Sequence, residues 1–196
     1  MRYAIALLSL AFVACGRQDN HAPGPTFDPK PNPVGGDEDL KAYLNRYYLD
    51  ASRFESKHVY ANIVKTMKFV DKFDKPNVVG RCWISTLSGR PVQDSGEIEI
   101  LRHTWENFDE PSRMGLMYHE LTHCAQGRDH DPENSKTIMA PAMLSSDTYE
   151  FYWYDLIKQL FTRPSAPSMS LTLDEEVVRK VFEMHLVDGK LVEVSR

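Results

Sequence analysis

The chain has 196 residues, 42% of them hydrophobic, and 23 basic against 28 acidic side chains give a formal charge of −5. That length suffices for one domain with a proper core and is too short for two sizeable ones. With an acidic balance and no basic tract, nucleic acid is not an expected partner.

Residues 1–14 read as a targeting segment rather than part of a fold. Arg2 gives a short basic start, and Tyr3 to Ala14 is nearly all apolar but too short to span a membrane. Cys15 follows directly on Phe12-Val13-Ala14. This resembles a bacterial lipoprotein signal, in which cleavage exposes the cysteine for lipidation; an ordinary secretory signal cut nearby is the alternative. Cleavage before Cys15 leaves 182 residues and, with Arg2 gone, a formal charge of −6. Either way the protein is expected outside the cytoplasm. The lipidated form would be anchored to a bacterial membrane and would face the periplasm or the cell exterior.

Residues 15–36 are rich in proline, glycine and polar residues, with Pro23, Pro25, Pro29, Pro31 and Pro33, and read as a tether. The domain proper is expected over 37–196, as a monomer. Asp37 to Phe54 carries Leu40, Leu44, Tyr47 and Tyr48 at helical spacing. Val59 to Phe73 and Asn77 to Ser85 read as strands, with Val78, Val79 and Trp83 as core residues. Glu97 to Leu101 alternates as a strand with one wet face.

Asp109-Glu110-Pro111 marks a helix start, since proline suits the first turn. Met114, Met117, Leu121 and Cys124 then recur at spacings of three and four, the pattern of a helix buried on one side. Gly127 can end that helix in a left-handed conformation. A further helix fits Ser146 to Phe161. Asp188-Gly189 between Val181–Val187 and Lys190–Val194 is a hairpin signal.

The chemistry concentrates in His119-Glu120-Leu121-Thr122-His123. Residues four apart share a helix face, so both imidazoles point the same way and can bind one Zn²⁺ ion. The glutamate between them can take a proton from a water activated by the ion. A turn at Gly127 can bring His130 back toward the pair, and three protein ligands with an open fourth position is the pattern of catalytic zinc. The bland alternative is an amphipathic helix with two surface histidines.

The run from His119 to His130, followed by Thr137-Ile138-Met139-Ala140-Pro141, resembles the metzincin clan of zinc metallopeptidases. Their signature is H-E-x-x-H-x-x-G-x-x-H with a later methionine turn. Here one extra residue separates His123 from Gly127, so His130 keeps its spacing from the glycine while Asp129 keeps its spacing from His123. Zinc's taste for imidazole favours His130 as third ligand, with Asp129 as the alternative. The resemblance implies an α+β, zincin-like fold with a small mixed sheet, a metal-binding helix and Met139 in a structural turn beneath the metal. It also implies an edge strand lining the cleft, for which Glu97–Leu101 is the candidate, and hydrolysis of a peptide or protein substrate. Tyr149, Tyr152 or Tyr154 would then be placed to stabilise the oxyanion, against a plain role in helix packing. His103 could face the cleft or be a surface histidine.

With Cys15 spent on lipid, Cys82 and Cys124 remain, and an even pair in an oxidising compartment suggests a disulfide. Two free thiols, or Cys124 as a metal ligand, are the alternatives; Cys124 lies about 100° round the helix from His123. Two other functions remain open from sequence: a non-catalytic lipoprotein that uses zinc to hold its fold or bind a partner, and a zinc hydrolase acting on cell-wall peptides. Glu120 favours an enzyme, because a structural site needs no base beside its ligands.

Overall fold

A computed structural model describes residues 37–88, 90–132, 136–141, 143–163, 177–187 and 190–193. The signal segment, the tether, the Asp188-Gly189 turn and Val194 lie outside these. Helix α1 spans Asp37–Arg53, followed by β1 at Val64–Val70, β2 at Val78–Leu87 and the short β3 at Arg90–Pro91. Then come β4 at Gly96–Leu101, α2 at Arg102–Asn107, α3 at Glu110–Gln126 and α4 at Ser146–Thr162. Strands β5, Val177–Val187, and β6, Lys190–Glu193, complete an α+β arrangement around one mixed sheet.

The sheet runs β1-β4-β2-β5-β6, with β3 on the far end of β2. Only β1 and β4 are parallel; β4–β2, β2–β5 and β5–β6 are antiparallel. The strand at 97–101 expected at an edge is therefore interior, between β1 and β2. Its alternation marks an inner and an outer face of the sheet, and carries no information about which strand lies beside it.

Register aligns two inward rows. Met67, Ile98, Cys82 and Phe182 stand side by side, as do Phe69, Ile100, Gly80 and Met184. Apart from Gly80, each of these residues is a buried apolar side chain of the core. The opposite face carries Lys68, Glu99, Arg81 and Glu183 across the same four strands. Their signs alternate, with Lys68 Nζ 2.9 Å from Glu99 and Arg81 Nη2 2.7 Å from Glu183. Opposite charges on neighbouring strands support the pairing they stand on. Trp83 belongs to this outer face rather than to the core: it is half-buried between Arg81 and Arg179, whose guanidinium carbons lie 5.4 and 4.5 Å from its ring centroid.

Helix α3 is buried on every side from Arg113 to Gln126, not on one side only. Outside the expected stripe Leu116, Tyr118 and Ala125 are buried too, and so are the polar Arg113, His119, Glu120, Thr122, His123 and Gln126, so burial here does not follow apolar periodicity alone. The sheet covers one flank; α1 and α4 cover the other. On that flank Tyr118 donates to Asp50 at 2.6 Å, Gln126 donates to the Tyr47 hydroxyl at 2.9 Å, and Tyr118 packs edge-on to Trp153. Gly115 lets α4 come close, since a Cβ there would enter the ring of Tyr149.

The strand expected over 59–73 is confined to Val64–Val70, and the one over 77–85 extends to Leu87. Asn62 and Asn77 take left-handed φ values of 59° and 66°, breaking extended chain just outside those strands. The C-terminal strands pair as the hairpin signal implied, with β5 starting at Val177, four residues earlier than expected.

Candidate metal centre

Asp109 caps α3 by accepting from the Ser112 N–H at 3.0 Å, with Pro111 in the first turn. At the other end Gly127 adopts φ 62° and ψ 23°, and its N–H returns to the His123 carbonyl at 3.0 Å. Glycine takes that conformation without Cβ strain. The turn sends the chain back along the helix, and His130 arrives beside His119 and His123.

The three Nε2 atoms converge. His119 and His123 are 2.9 Å apart, His119 and His130 2.8 Å, and His123 and His130 2.6 Å. His119 and His123 are buried, and His130 is partly so. Asp129, the alternative third ligand, is exposed, while the histidines form a group able to hold a metal ion.

The hydrogen bonds on the far side of the rings decide what the Nε2 atoms offer. His119 Nδ1 lies 2.7 Å from the Ile138 carbonyl and His123 Nδ1 2.6 Å from the Arg128 carbonyl. A carbonyl only accepts, so both Nδ1 atoms carry the proton. Burial, and after it the neighbouring His130, holds the pKa of both rings well below 6.5. Burial likewise pushes His130 down to about 4. Both helix rings are therefore neutral and present bare lone pairs to each other, which repel unless a cation lies between them. A tetrahedral zinc with bonds of about 2.0–2.1 Å would set its nitrogens roughly 3.3 Å apart, so ligation asks each ring to yield by only a few tenths of an ångström. The donor set fits a divalent ion that accepts three imidazoles.

A circuit of partly buried polar contacts ties together the loops that hold the rings. Arg128 donates to both oxygens of Asp131, at 2.8 and 3.0 Å, and to the Leu160 carbonyl at 3.4 Å. Thr137 donates to Asp131 at 2.7 Å, and the Asp131 N–H donates to the Met139 carbonyl at 2.8 Å. The loop carrying His130 is thereby tied to the turn whose Ile138 carbonyl holds His119. Met139 is fully buried within that turn.

Glu120 is 1% exposed and faces β2. A Cβ on Gly80 would lie 3.0 Å from its Cδ, 3.1 Å from Leu116 Cδ1, and closer still to Oε1. Next along β2, Cys82 forms a disulfide with Cys124, the residue after His123. Cys124 is thus committed to sulfur rather than to a metal. The ring of Phe182 on β5 stacks on His123, with centroids 4.3 Å apart and planes 8° from parallel.

The weaker candidates lie elsewhere. Tyr149 is buried over Gly115 and accepts from the Leu144 N–H, Tyr154 packs on Phe54 and Arg53, and Tyr152 is 59% exposed. Their partners are helix-packing groups rather than the site histidines. His103 is exposed and bonded within its own turn. Sequence reasoning missed Gly80, Arg128 and Phe182. Arg128 and Asp131 stand three apart beside the motif, a charge pair open to notice; Gly80 and Phe182 carry no local signal.

An H-E-x-x-H helix buried against a mixed sheet, with a third histidine brought in by a glycine turn, brings together three imidazoles able to hold a metal ion. Residues 39–157, about three-fifths of the chain, match the model of the family described as "Putative phage metallopeptidase". The chain belongs to this metallopeptidase family. Neither the curated proteins nor the solved structures contain a match.

Proposed function

We propose that this protein is a zinc-dependent endopeptidase of zincin type, acting outside the cytoplasm from a lipid anchor at Cys15. The observation that carries the catalytic part is the convergence of three imidazole Nε2 atoms beside Glu120 on a buried helix. His119, His123 and His130 would hold the ion. Zinc, when bound, supplies a Lewis acid that polarises a carbonyl and lowers the pKa of water.

The chain's own residues then have distinct tasks. Ile138 and Arg128 fix the tautomers and aim of His119 and His123 through their carbonyls. Glu120 accepts a proton from the attacking water and delivers it to the leaving amine, so that water is added across the C–N bond. His119, Glu120 and His123 are buried, and the low dielectric there strengthens the charge interactions they make.

The disulfide supports an oxidising compartment. The apolar run before Cys15 supports export and lipidation, with the domain working as a monomer at a bacterial membrane. Among the described residues no helix is long and apolar enough to cross a membrane.

The test is metal content and cleavage of a mixed peptide library by the protein and by Glu120→Gln. The expected result is one zinc per chain in both and cleavage by the unmutated protein alone, because an amide cannot take up the proton. Zinc in both with cleavage by neither would replace this reading with a binding or structural one. For the anchor, Cys15→Ser should move the protein from the membrane fraction to the soluble fraction.

A further inference from the structure

Strand β2 packs on α3, the helix that carries His119, Glu120 and His123. Its Gly80 lies against Glu120, and its Cys82 is bonded to the helix beside His123. One edge of β2 is paired with β4. The other edge is a row of backbone donors and acceptors running past the site, the kind of edge to which an extended peptide adds as a new strand. In this structure β5 takes that edge, antiparallel, over nine paired positions from Leu87 to Val78.

The occupant also reaches into the site. Phe182 lies opposite Cys82 and lays its ring flat on His123, 4.3 Å away, with the His130 ring at 6.5 Å. Met184, opposite Gly80, is 1% exposed. On the outer face Glu183 holds the strand down through Arg81 and Lys75. The family match ends at residue 157, so β5 lies beyond the part of the chain that the family defines.

We propose that β5 is a built-in competitor: it occupies, in cis, the β2 edge and the face of His123 that an extended peptide substrate would take, and substrate enters by displacing it. This rests on the peptidase reading above. A protein whose competent state is only a fraction of the population binds its ligand more weakly by that fraction. Loosening β5 from its outer face should therefore raise affinity for added peptide without changing any of the three histidines or Glu120.

The experiment uses the full chain, Glu183→Arg, which sets a positive charge against Arg81 and Lys75, and Phe182→Ala, which uncovers His123. The probe is a fluorescein-labelled peptide of residues 177–187, with binding read by anisotropy alongside metal content and circular dichroism. Both variants should keep metal and fold and bind the probe on the order of tenfold more tightly than the unmutated chain. Unlabelled peptide should compete with a library substrate, and kcat/KM should rise by a similar factor. Unchanged probe binding in folded, metal-loaded variants would overturn the proposal. So would loss of fold or metal in both, because β5 would then be a structural strand and not a displaceable one. Tighter probe binding with no cleavage by any form would leave β5 as a competitor and sink the peptidase reading alone.

Discussion

Gly80 on β2 and Glu120 on α3 are in such close approach that a single methyl group on the glycine would collide with the carboxylate. The absence of a side chain on the strand creates the space in which the proposed base sits. Gly80→Ala should therefore push Glu120 off its line while leaving the three histidines alone. A displacement near 1 Å at a reacting group costs about 100-fold in rate. The expected outcome is full metal occupancy with kcat reduced by roughly that factor and KM little changed. Unimpaired turnover would mean that Glu120 is not the group whose position matters.

Arg128 joins the two loops that hold the site. Its guanidinium is buried, while Asp131 keeps 17% of its side-chain exposure. Removing one partner of a wholly buried pair costs several kcal/mol, and the partial exposure of Asp131 lowers that here. Arg128→Met should destabilise the fold by about 2–3 kcal/mol and weaken metal binding by roughly 10–100-fold, the usual effect of losing a group that orients a ligand. Denaturant titration of the metal-free protein gives the first quantity, and competition with a chromogenic chelator gives the second. Metal affinity equal to that of the unmutated chain would show that the loop holds itself.

The Cys82–Cys124 bond closes a sequence separation of 42 residues. Loop-closure entropy assigns such a link about 4 kcal/mol. Cys82→Ala with Cys124→Ala should lose most of that in equilibrium unfolding. A loss below about 1 kcal/mol would indicate that the β2–β4 ladder already confines the helix in the unlinked chain.

The metal-stripped protein should be acid-sensitive in a defined window. In the unfolded chain histidine titrates near 6.5. In the stripped fold burial holds His119 and His123 well below that value and His130 at about 4. Between about 6.5 and 4 the unfolded chain binds protons that the fold refuses, so stability rises with pH across this range. The contribution is complete above about 6.5 and is lost progressively as pH falls. Melting temperatures of the chelated protein from pH 8 to pH 5 should decline below 6.5, and zinc should raise them at neutral pH by binding the fold alone. A flat profile for the stripped protein would contradict the buried, neutral state of the rings.

Much of the candidate metal segment was legible in the sequence because its signals are local. Helical spacing puts His119 and His123 on one face, Asp109 and Pro111 start α3, and Gly127 ends it; each of these follows from the conformations a few neighbouring residues can take. The long amphipathic helices at 37–53 and 146–162 were readable for the same reason. The Cys82–Cys124 disulfide followed from counting cysteines, with Cys15 set aside as the proposed lipidation site. Tertiary structure decided everything that depends on which distant segments meet. Alternation at 97–101 fixed which side chains face inward, but strand order depends on competition among all the strands for partners, and that placed this strand in the interior. That His130 rather than Asp129 stands beside His119 and His123 turned on the path of the chain after Gly127, set by Arg128, Asp131 and the turn at Met139. The space for Glu120 and the ring laid on His123 come from residues 40 and 59 positions away along the chain. No local propensity encodes such contacts, because they exist only once the sheet has closed over the helix.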